Sequence, residues 1–393
     1  MAVSIAMTVA GCSGNDEDRV SPYKKIEMSD ETRAVVSNAN DFALDLFTKV
    51  ESGADGKNVV VSPLSVMTTL SMLANGDNGD SRDAILGLLG FAGKSEGLDR
   101  LNEYCKVILR NLPVVDSSTK CKLANSVWSG QNALVPDFAS VMTEIYNSEY
   151  KSVSPSGAEG QKAINSWIED KTSGLIRDFI KQPLMYDFAV VNATYFKGIW
   201  KERFDKGNTK SERFSNIDGS ESEVDMMHLS DKKFACSVDD DAIALSMPYG
   251  NGNFEMVSIL PVREEGFDDL IENLNERYVG MINNRRYYSV DLSFPKFTSS
   301  SDFDVLGYFK EAGLHSGSQF NAIYSNPLTL CSILTGVTVS VDESGTEAAA
   351  VTMPGMVTGI DDELKLEFNR PFIYLIRETS TGTILFMGKV TKL

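Results

Sequence analysis

The sequence predicts an α+β protein folded as one large domain. Three observations carry this. Helical apolar spacing dominates up to about residue 180, strand-like runs dominate after residue 187, and nothing between residues 35 and 393 reads as a linker. A chain of 393 residues is long for one domain, yet no low-complexity run, charge block or Pro-rich spacer divides it. At 42% hydrophobic and 23% charged, it has the composition of a globular protein with a substantial core.

The elements follow in order. Asp41 to Phe47 carries helical apolar spacing through Phe42, Ala43, Leu44, Leu46 and Phe47. Residues 59–61, all valine, read as a short strand. Ser62 then suits an N-cap and Pro63 the first helical position. The helix that follows sets Leu64, Met67, Leu70, Ser71 and Leu73 near one face and stops before Gly76. A second amphipathic helix occupies 161–180, striped by Ile164, Trp167 and Ile168, with Gly174 ending it and a further turn through Ile176 and Phe179. Residues 188–196 are almost unbroken apolar, the pattern of a strand buried on both faces. Strands are expected at 242–248, 254–261, 287–294, 330–341, 365–368, 372–377 and 384–390, with Thr381-Gly382 turning the chain between the last two.

Charge and residue inventory exclude several functions. The net charge of −18, from 37 basic and 55 acidic residues, repels nucleic acid and supplies no basic stripe for phosphate backbones. Two histidines, His228 and His315, stand far apart, with no HExxH or GxSxG motif and no metal-ligand spacing. No cofactor is implied. Four cysteines beyond the N-terminus, Cys105, Cys121, Cys236 and Cys331, form no CxxC pair and read as buried thiols.

The unusual segment is 342–352. It follows a strong strand at 337–341, and its side chains are small. Because strand side chains alternate, Thr346, Ala348, Ala350 and Thr352 share one face, uniformly small and uncharged, while Glu347, the one charge in 346–352, lies opposite with Ala349 and Val351. Such a segment can live as a solvated loop and also fit a sheet above a packed core. By composition alone it equally suits a flexible linker. Residues 353–363 beyond it, with Pro354, Gly355 and Gly359, read as a loop.

The stretch EsGTEAAA at 343–350 resembles the hinge of inhibitory serpins. Further blocks resemble that family in the same order: NVVVSPLSVMTTLSMLANG at 58–76, LANSVW at 123–128, INSWIEDKTSGLIRDFI at 164–180 and VNATYFKGIWKERFD at 191–205. VDMMHL at 224–229, MPYGNGNFEMVSILP at 247–261, FPKF at 294–297 and FNRPFIYLIRETSTGTILFMGKV at 368–390 complete the series. The resemblance implies a serpin fold with three β-sheets, eight or nine helices and an exposed reactive-centre loop. It implies no enzyme but a monomeric inhibitor of serine, or papain-like cysteine, proteases. The target cleaves the loop, which inserts as a strand of the main sheet and traps the acylated protease. About twelve inserted residues at ~1 kcal/mol per hydrogen bond give on the order of 10 kcal/mol, comparable with a folding stability of about 5–15 kcal/mol. The alternative within the family is a non-inhibitory binding or chaperone module.

The resemblance also assigns residues. Glu343 starts the hinge, Gly345 supplies backbone freedom, Thr346 is the first inward residue to insert, and Ala348, Ala349 and Ala350 fill a tight slot. Counting seventeen residues from Glu343 puts the reactive bond at Gly359-Ile360, with Thr358-Gly359 and Met356-Val357 as alternatives. No Lys or Arg lies between 344 and 364, which points to elastase-, subtilisin- or papain-like targets. Pro354 lacks an N–H and removes one ladder bond from the inserted strand. Ser62, Ser65 and Asn192 match the shutter, where sheet strands part, and Trp200 matches the breach at the sheet's top. Thr335, followed by Gly336, stands where many serpins have a shutter His, which weakens or shrinks a buried hydrogen-bond network.

The N-terminus reads as a separate region. Small and apolar residues before Cys12 resemble a bacterial lipoprotein signal spanning 1–12, with lipidation at Cys12. Residues 13–34 then form a polar tether to the domain at 35–393. This implies attachment to membrane only through a lipid anchor, outside the bacterial cytoplasm at the outer membrane or cell surface.

Overall fold

In the computed structural model, residues 21–345 and 362–393 are described, apart from positions 95, 131–133, 173, 175, 187, 325, 327 and 331. Cys12 and Cys331 lie outside the described residues, as do Thr346, Ala348, Ala349, Ala350, Pro354, Met356, Val357, Thr358, Gly359 and Ile360.

The first half is mainly helical: α1 (Asp30–Ser52), α2 (Pro63–Ala74), α3 (Asp80–Leu88), α4 (Gly97–Asn111), α5 (Pro136–Glu144) and α6 (Gly157–Lys171), interrupted by β1 (Val59–Val61), β2 (Lys120–Ser129) and β3 (Ser148–Lys151). The second half is mainly strands: β4 (Phe188–Lys197), β5 (Lys210–Ser215), β6 (Glu221–Val238), β7 (Ala242–Tyr249), β8 (Phe254–Pro261), β9 (Arg286–Pro295), β10 (Phe297–Asp304) and the short β11 (Gln319–Phe320) and β12 (Leu328–Thr329). Then come β13 (Leu334–Val341), β14 (Glu363–Glu367), β15 (Phe372–Glu378) and β16 (Ile384–Val390), with α7 (Phe267–Glu272) and α8 (Leu274–Asn283) between β8 and β9. Among the described residues no helix is long and apolar enough to cross a membrane.

Among the described residues, packing onto the domain starts before the boundary expected at residue 35. Ser29 caps α1 by accepting from the Thr32 N–H at 3.1 Å. Ile26 is 1% exposed, and its N–H donates to Ser380 Oγ at 3.0 Å. Residues 21–34 are therefore laced onto distant loops rather than free, because two apolar residues in that polar stretch, Ile26 and Met28, find the core.

Helix α2 is the central column. Ser62 caps it and Pro63 opens it, as its sequence predicts. All twelve of its residues are buried, so the single apolar face expected from periodicity is a full cylinder. Ser71 and Thr68 are accommodated by donating to the Met67 and Leu64 carbonyls, each at 2.7 Å. Helix α6 packs across β2 and β4 through the predicted Ile164, Trp167 and Ile168, with Trp167 edge-on to Trp128 at 6.4 Å. It stops at Lys171, short of 180. Gly174, at φ +79°, sends its N–H back to the Glu169 carbonyl at 2.8 Å and turns the chain.

One nine-stranded unit runs β1-β16-β15-β8-β7-β6-β9-β14, with β5 on the flank of β6. Strand β6 joins two layers because its ladder with β9 is irregular between Leu229 and Lys232, where Asp231 adopts φ +53°. The main sheet is present as two pieces, β3-β2-β4 and β10-β13. Strand β13 begins at Leu334 rather than 330, because Asp304 Oδ1 takes the Ile333 N–H at 2.8 Å and bends the chain into it.

Candidate functional site: a held hinge beside an open seam

The seam lies between β4 and β13. No ladder joins them among the described residues, although each is paired on its other edge, β4 to β2 and β13 to β10. The expectation that residues 188–196 are buried on both faces is corrected here. Phe188, Ala189 and Val190 are only half-buried, since they line a cavity at the foot of the seam together with Ile333 and Leu334 of the facing chain. Phe179, from the α6–β4 connection, lies against β13. A Cβ on Gly336 would come within 2.3 Å of the Phe179 ring, so glycine is what lets the ring approach.

At the upper end of β13 the chain turns sharply. The Gly345 N–H donates to the Asp342 carbonyl at 3.1 Å, and the Ser344 N–H to Asp342 Oδ1 at 2.8 Å. The turn is gripped by residues 200–209. Trp200 N–H donates to the Ser344 carbonyl at 3.1 Å, Trp200 Nε1 to the Asp342 carbonyl at 2.9 Å, and Phe204 N–H to the Glu343 carbonyl at 3.1 Å. Trp200 is in turn stacked on Tyr249, with centroids 4.3 Å apart and planes at 13°. Burial pushes the Tyr249 phenol well above its usual range, so it stays neutral.

Gly345 has a stricter role than general freedom. Its φ is +83°, and a Cβ there would sit 2.3 Å from Trp200 N and 2.7 Å from the Gly198 carbonyl oxygen. Only glycine fits both the backbone angle and the approach.

Glu343 is buried, at 5% exposure. Its Oε1 accepts from Thr209 Oγ1 at 2.8 Å and pairs with Lys296 Nζ at 3.3 Å. Burial works to raise this carboxyl, but hydrogen bonds from its own backbone, Thr209 and Lys296, with the Lys296 charge, hold it below the usual carboxylate value. Burial works to lower Lys296, and Glu343 and Asp225 raise it above the usual lysine value.

Behind the seam runs a buried polar network. Ser65 Oγ donates to Asn192 Oδ1 at 2.5 Å, Thr194 Oγ1 donates to the same oxygen at 2.8 Å, and Asn192 Nδ2 donates to Asn125 Oδ1 at 2.6 Å. Asn125 Nδ2 continues to the Tyr146 carbonyl at 2.8 Å. Ser62 Oγ donates to the Leu385 carbonyl at 2.9 Å and accepts the Ser65 N–H at 3.4 Å. Thr335 is 5% exposed, and its Oγ1 has no hydrogen-bond partner among the described residues. The network is therefore the smaller one, closed by Asn125 and Thr194 instead of by residue 335.

Sequence reasoning placed Ser62, Ser65, Asn192, Trp200, Glu343 and Gly345 in this region, and the structure brings Ser62, Ser65 and Asn192 together in the network behind the seam and Trp200 together with the 342–345 turn at its upper end. It did not single out Lys296, Thr209, Asn125, Thr194 or Tyr249. Lys296 stands inside the FPKF block and Asn125 inside LANSVW, but their partners are strands away. His228 bridges Ser293 Oγ, 3.1 Å from Nδ1, and Glu212 Oε1, 3.0 Å from Nε2. This Ser-His-Glu row crosses three strands, and Leu292 and Phe294 beside Ser293 are paired with Leu229 and Met227 of β6.

A family profile described as Serpin (serine protease inhibitor) matches residues 37–393. The rice (Oryza sativa subsp. japonica) protein Serpin-ZXA is 32% identical over 396 residues, covering 92% of this chain and 98% of its own. Among solved structures, Arabidopsis AtSerpin1 in its native stressed conformation aligns with a TM-score of 0.79 at 28% identity, over 93% of this chain and 99% of that one. Human thyroxine-binding globulin in complex with thyroxine aligns with a TM-score of 0.82 at 25% identity, over 92% of this chain and 99% of that one.

Proposed function

We propose that this chain, which belongs to the serpin family, inhibits proteases as a suicide substrate. The target cleaves the segment after the hinge, the hinge residues enter the seam between β4 and β13, and the acylated protease is carried along. The observation that supports this most is the seam itself: two paired half-sheets without a ladder between them among the described residues, with the chain preceding the bait held at its upper end by Trp200 and Lys296. Closing the seam with a new strand satisfies backbone groups on both facing edges. The small, uncharged face of 346–352 suits that insertion.

The bond proposed for cleavage is Gly359-Ile360, and the absence of Lys and Arg from 344–364 favours elastase-, subtilisin- or papain-like targets. Lipid attachment at Cys12 would display the inhibitor on the outer membrane or cell surface. A Cys12→Ser change is expected to release it from the membrane fraction.

The test is incubation with a protease panel, followed by denaturing gels and mass spectrometry of the released C-terminal peptide. A covalent SDS-resistant complex with an elastase- or subtilisin-like enzyme, and a peptide beginning at Ile360, are expected. Cleavage with neither a complex nor a rise in thermal stability would reject inhibition and favour a non-inhibitory binding or chaperone role. That second reading draws on the thyroxine-binding globulin match and on the unpartnered Thr335 hydroxyl.

A further inference from the structure

Chain ends stay loose unless they are tied down, and residues 21–28 are tied down by their backbone. The Lys24 N–H donates to Asn253 Oδ1 at 3.0 Å, and its carbonyl accepts from Asn253 Nδ2 at 2.6 Å, so one side-chain amide stands in for a strand partner. Ser21 and Ser117 exchange two bonds, at 3.3 and 3.1 Å. Asn251 Nδ2 donates to Ser21 Oγ at 3.4 Å and to the Pro22 carbonyl at 3.3 Å. The Ile26 N–H reaches Ser380 Oγ, and the Ile26 side chain is buried. These partners stand on three loops that meet: 115–118, the β7–β8 turn and the β15–β16 turn. The loops also lock one another. Asn253 Nδ2 donates to Glu378 Oε1 at 3.2 Å, and the Thr379 N–H donates to the Asn253 carbonyl at 2.8 Å. Asn253 and Glu378 are both fully buried.

The far side of the same β7–β8 turn bears on the grip of the hinge. The Gly250 N–H donates to the Ile199 carbonyl at 2.7 Å, the Lys201 N–H donates to the Pro248 carbonyl at 2.9 Å, and the Tyr249 ring carries Trp200. The turn has no slack: Gly250 has φ +43°, and a Cβ there would stand 2.1 Å from Ser118 Oγ. We infer that residues 21–28 are a strap that clamps this turn and thereby sets how firmly Trp200 holds the chain at 342–344. Lifting the strap takes the Lys24 N–H and carbonyl from the buried Asn253 amide. It also takes two of three acceptors from Asn251 Nδ2, leaving the Val115 carbonyl at 3.2 Å. Buried polar groups left unpaired are costly, so the turn shifts to hydrate them. That shift moves Gly250 off the Ile199 carbonyl and Tyr249 off Trp200. The chain before Ser21 is thus a handle on the hinge, with Asn251 and Asn253 as positioning residues. That 342–345 works as a hinge rests on the inhibitory reading above; its coupling to the strap does not.

The test is native-state amide exchange of the full chain without protease. Ile26→Ala removes the buried anchor of the strap. Exchange should accelerate at least a hundredfold at Lys24, at least tenfold at Gly250 and at least fivefold at Trp200. Ile26→Val, which keeps most of the anchor, should stay within twofold at Trp200. Ser29→Ala, which removes the α1 cap just beyond the strap, should also stay within twofold there. Coupling free energies are reciprocal, so Gly345→Ala, which frees the hinge, should speed exchange at Lys24 and Ile26 at least threefold. If Ile26→Ala leaves the strap docked, Ile26→Asp forces it off and is read in the same way. Free exchange at Lys24 with Gly250 and Trp200 within twofold of the parent overturns the coupling. Equal acceleration along the β9–β14 ladder reports a general loss of stability and overturns it as well. With no protease present, failure here is distinct from failure of the inhibitory reading.

Discussion

Replacing Gly345 by Ala tests how the hinge is held. The new Cβ must adopt φ +83°, which costs an L-residue about 1–2 kcal/mol. It would also stand 2.3 Å from Trp200 N, 2.7 Å from the Gly198 oxygen and 2.9 Å from the Ile199 carbonyl carbon. All three are backbone atoms, so the turn has to move away. Moving it breaks Trp200 N–H to Ser344 O and Trp200 Nε1 to Asp342 O, at about 1 kcal/mol each. The sum is about 3–4 kcal/mol against the held hinge. Two measurements read it: the midpoint of the first urea transition, and native-state amide exchange of Trp200. Exchange at Trp200 should accelerate at least a hundredfold, since ~1.4 kcal/mol is tenfold. Ser344→Ala, which keeps the backbone bonds, should change stability by less than about 0.5 kcal/mol. If Gly345→Ala also stays within about 1 kcal/mol and Trp200 exchange is unchanged, the grip described here does not hold the hinge.

Three further predictions concern the same region. Glu343→Gln removes the charge partner of Lys296 and should destabilise by about 1–2 kcal/mol at neutral pH. Because the folded carboxyl lies below its unfolded value near ~4.3, that difference is fully present above the unfolded value and fades as pH falls through the folded one. Urea midpoints of both proteins from pH 7 to pH 3 should converge on acidification. Thr335→Val removes a buried hydroxyl that has no partner and should raise the thermal midpoint, with a gain of about 1 kcal/mol. Asn192→Ala leaves Ser65, Thr194 and Asn125 short of a partner behind the seam and should cost about 3 kcal/mol, read by urea unfolding.

How far the sequence reached depends on how local each signal is. Ser62-Pro63 needs only its own φ/ψ and first-turn chemistry, so the start of α2 was legible residue by residue. The tripeptide 59–61 declares itself as an unbroken valine run, and the strands 254–261 and 384–390, mostly apolar, are likewise buried along their whole length. The blocks spread from 58 to 390 carried the family, and with it the expected places of Ser62, Asn192, Trp200 and Glu343. The α6 stripe was read correctly, and Gly174 ends the helix as expected, its N–H returning to the Glu169 carbonyl at 2.8 Å just past Lys171.

What tertiary structure decided was partnership. Lys296 meets Glu343, and Asn192 meets Asn125, only because strands far apart in sequence are neighbours in space. The seam has no local signature at all: β4 is as apolar as a central strand, and only the missing ladder to β13 shows why its first residues stay half-buried. That the Thr335 hydroxyl finds no hydrogen-bond partner among the described residues is likewise a property of neighbours, invisible in a Thr-Gly pair. Composition and periodicity determine which segments seek burial and in what form. Which segments then complete one another, and which edge is left open, is set by packing across the chain, because hydrogen-bond and charge partners are chosen by position in space.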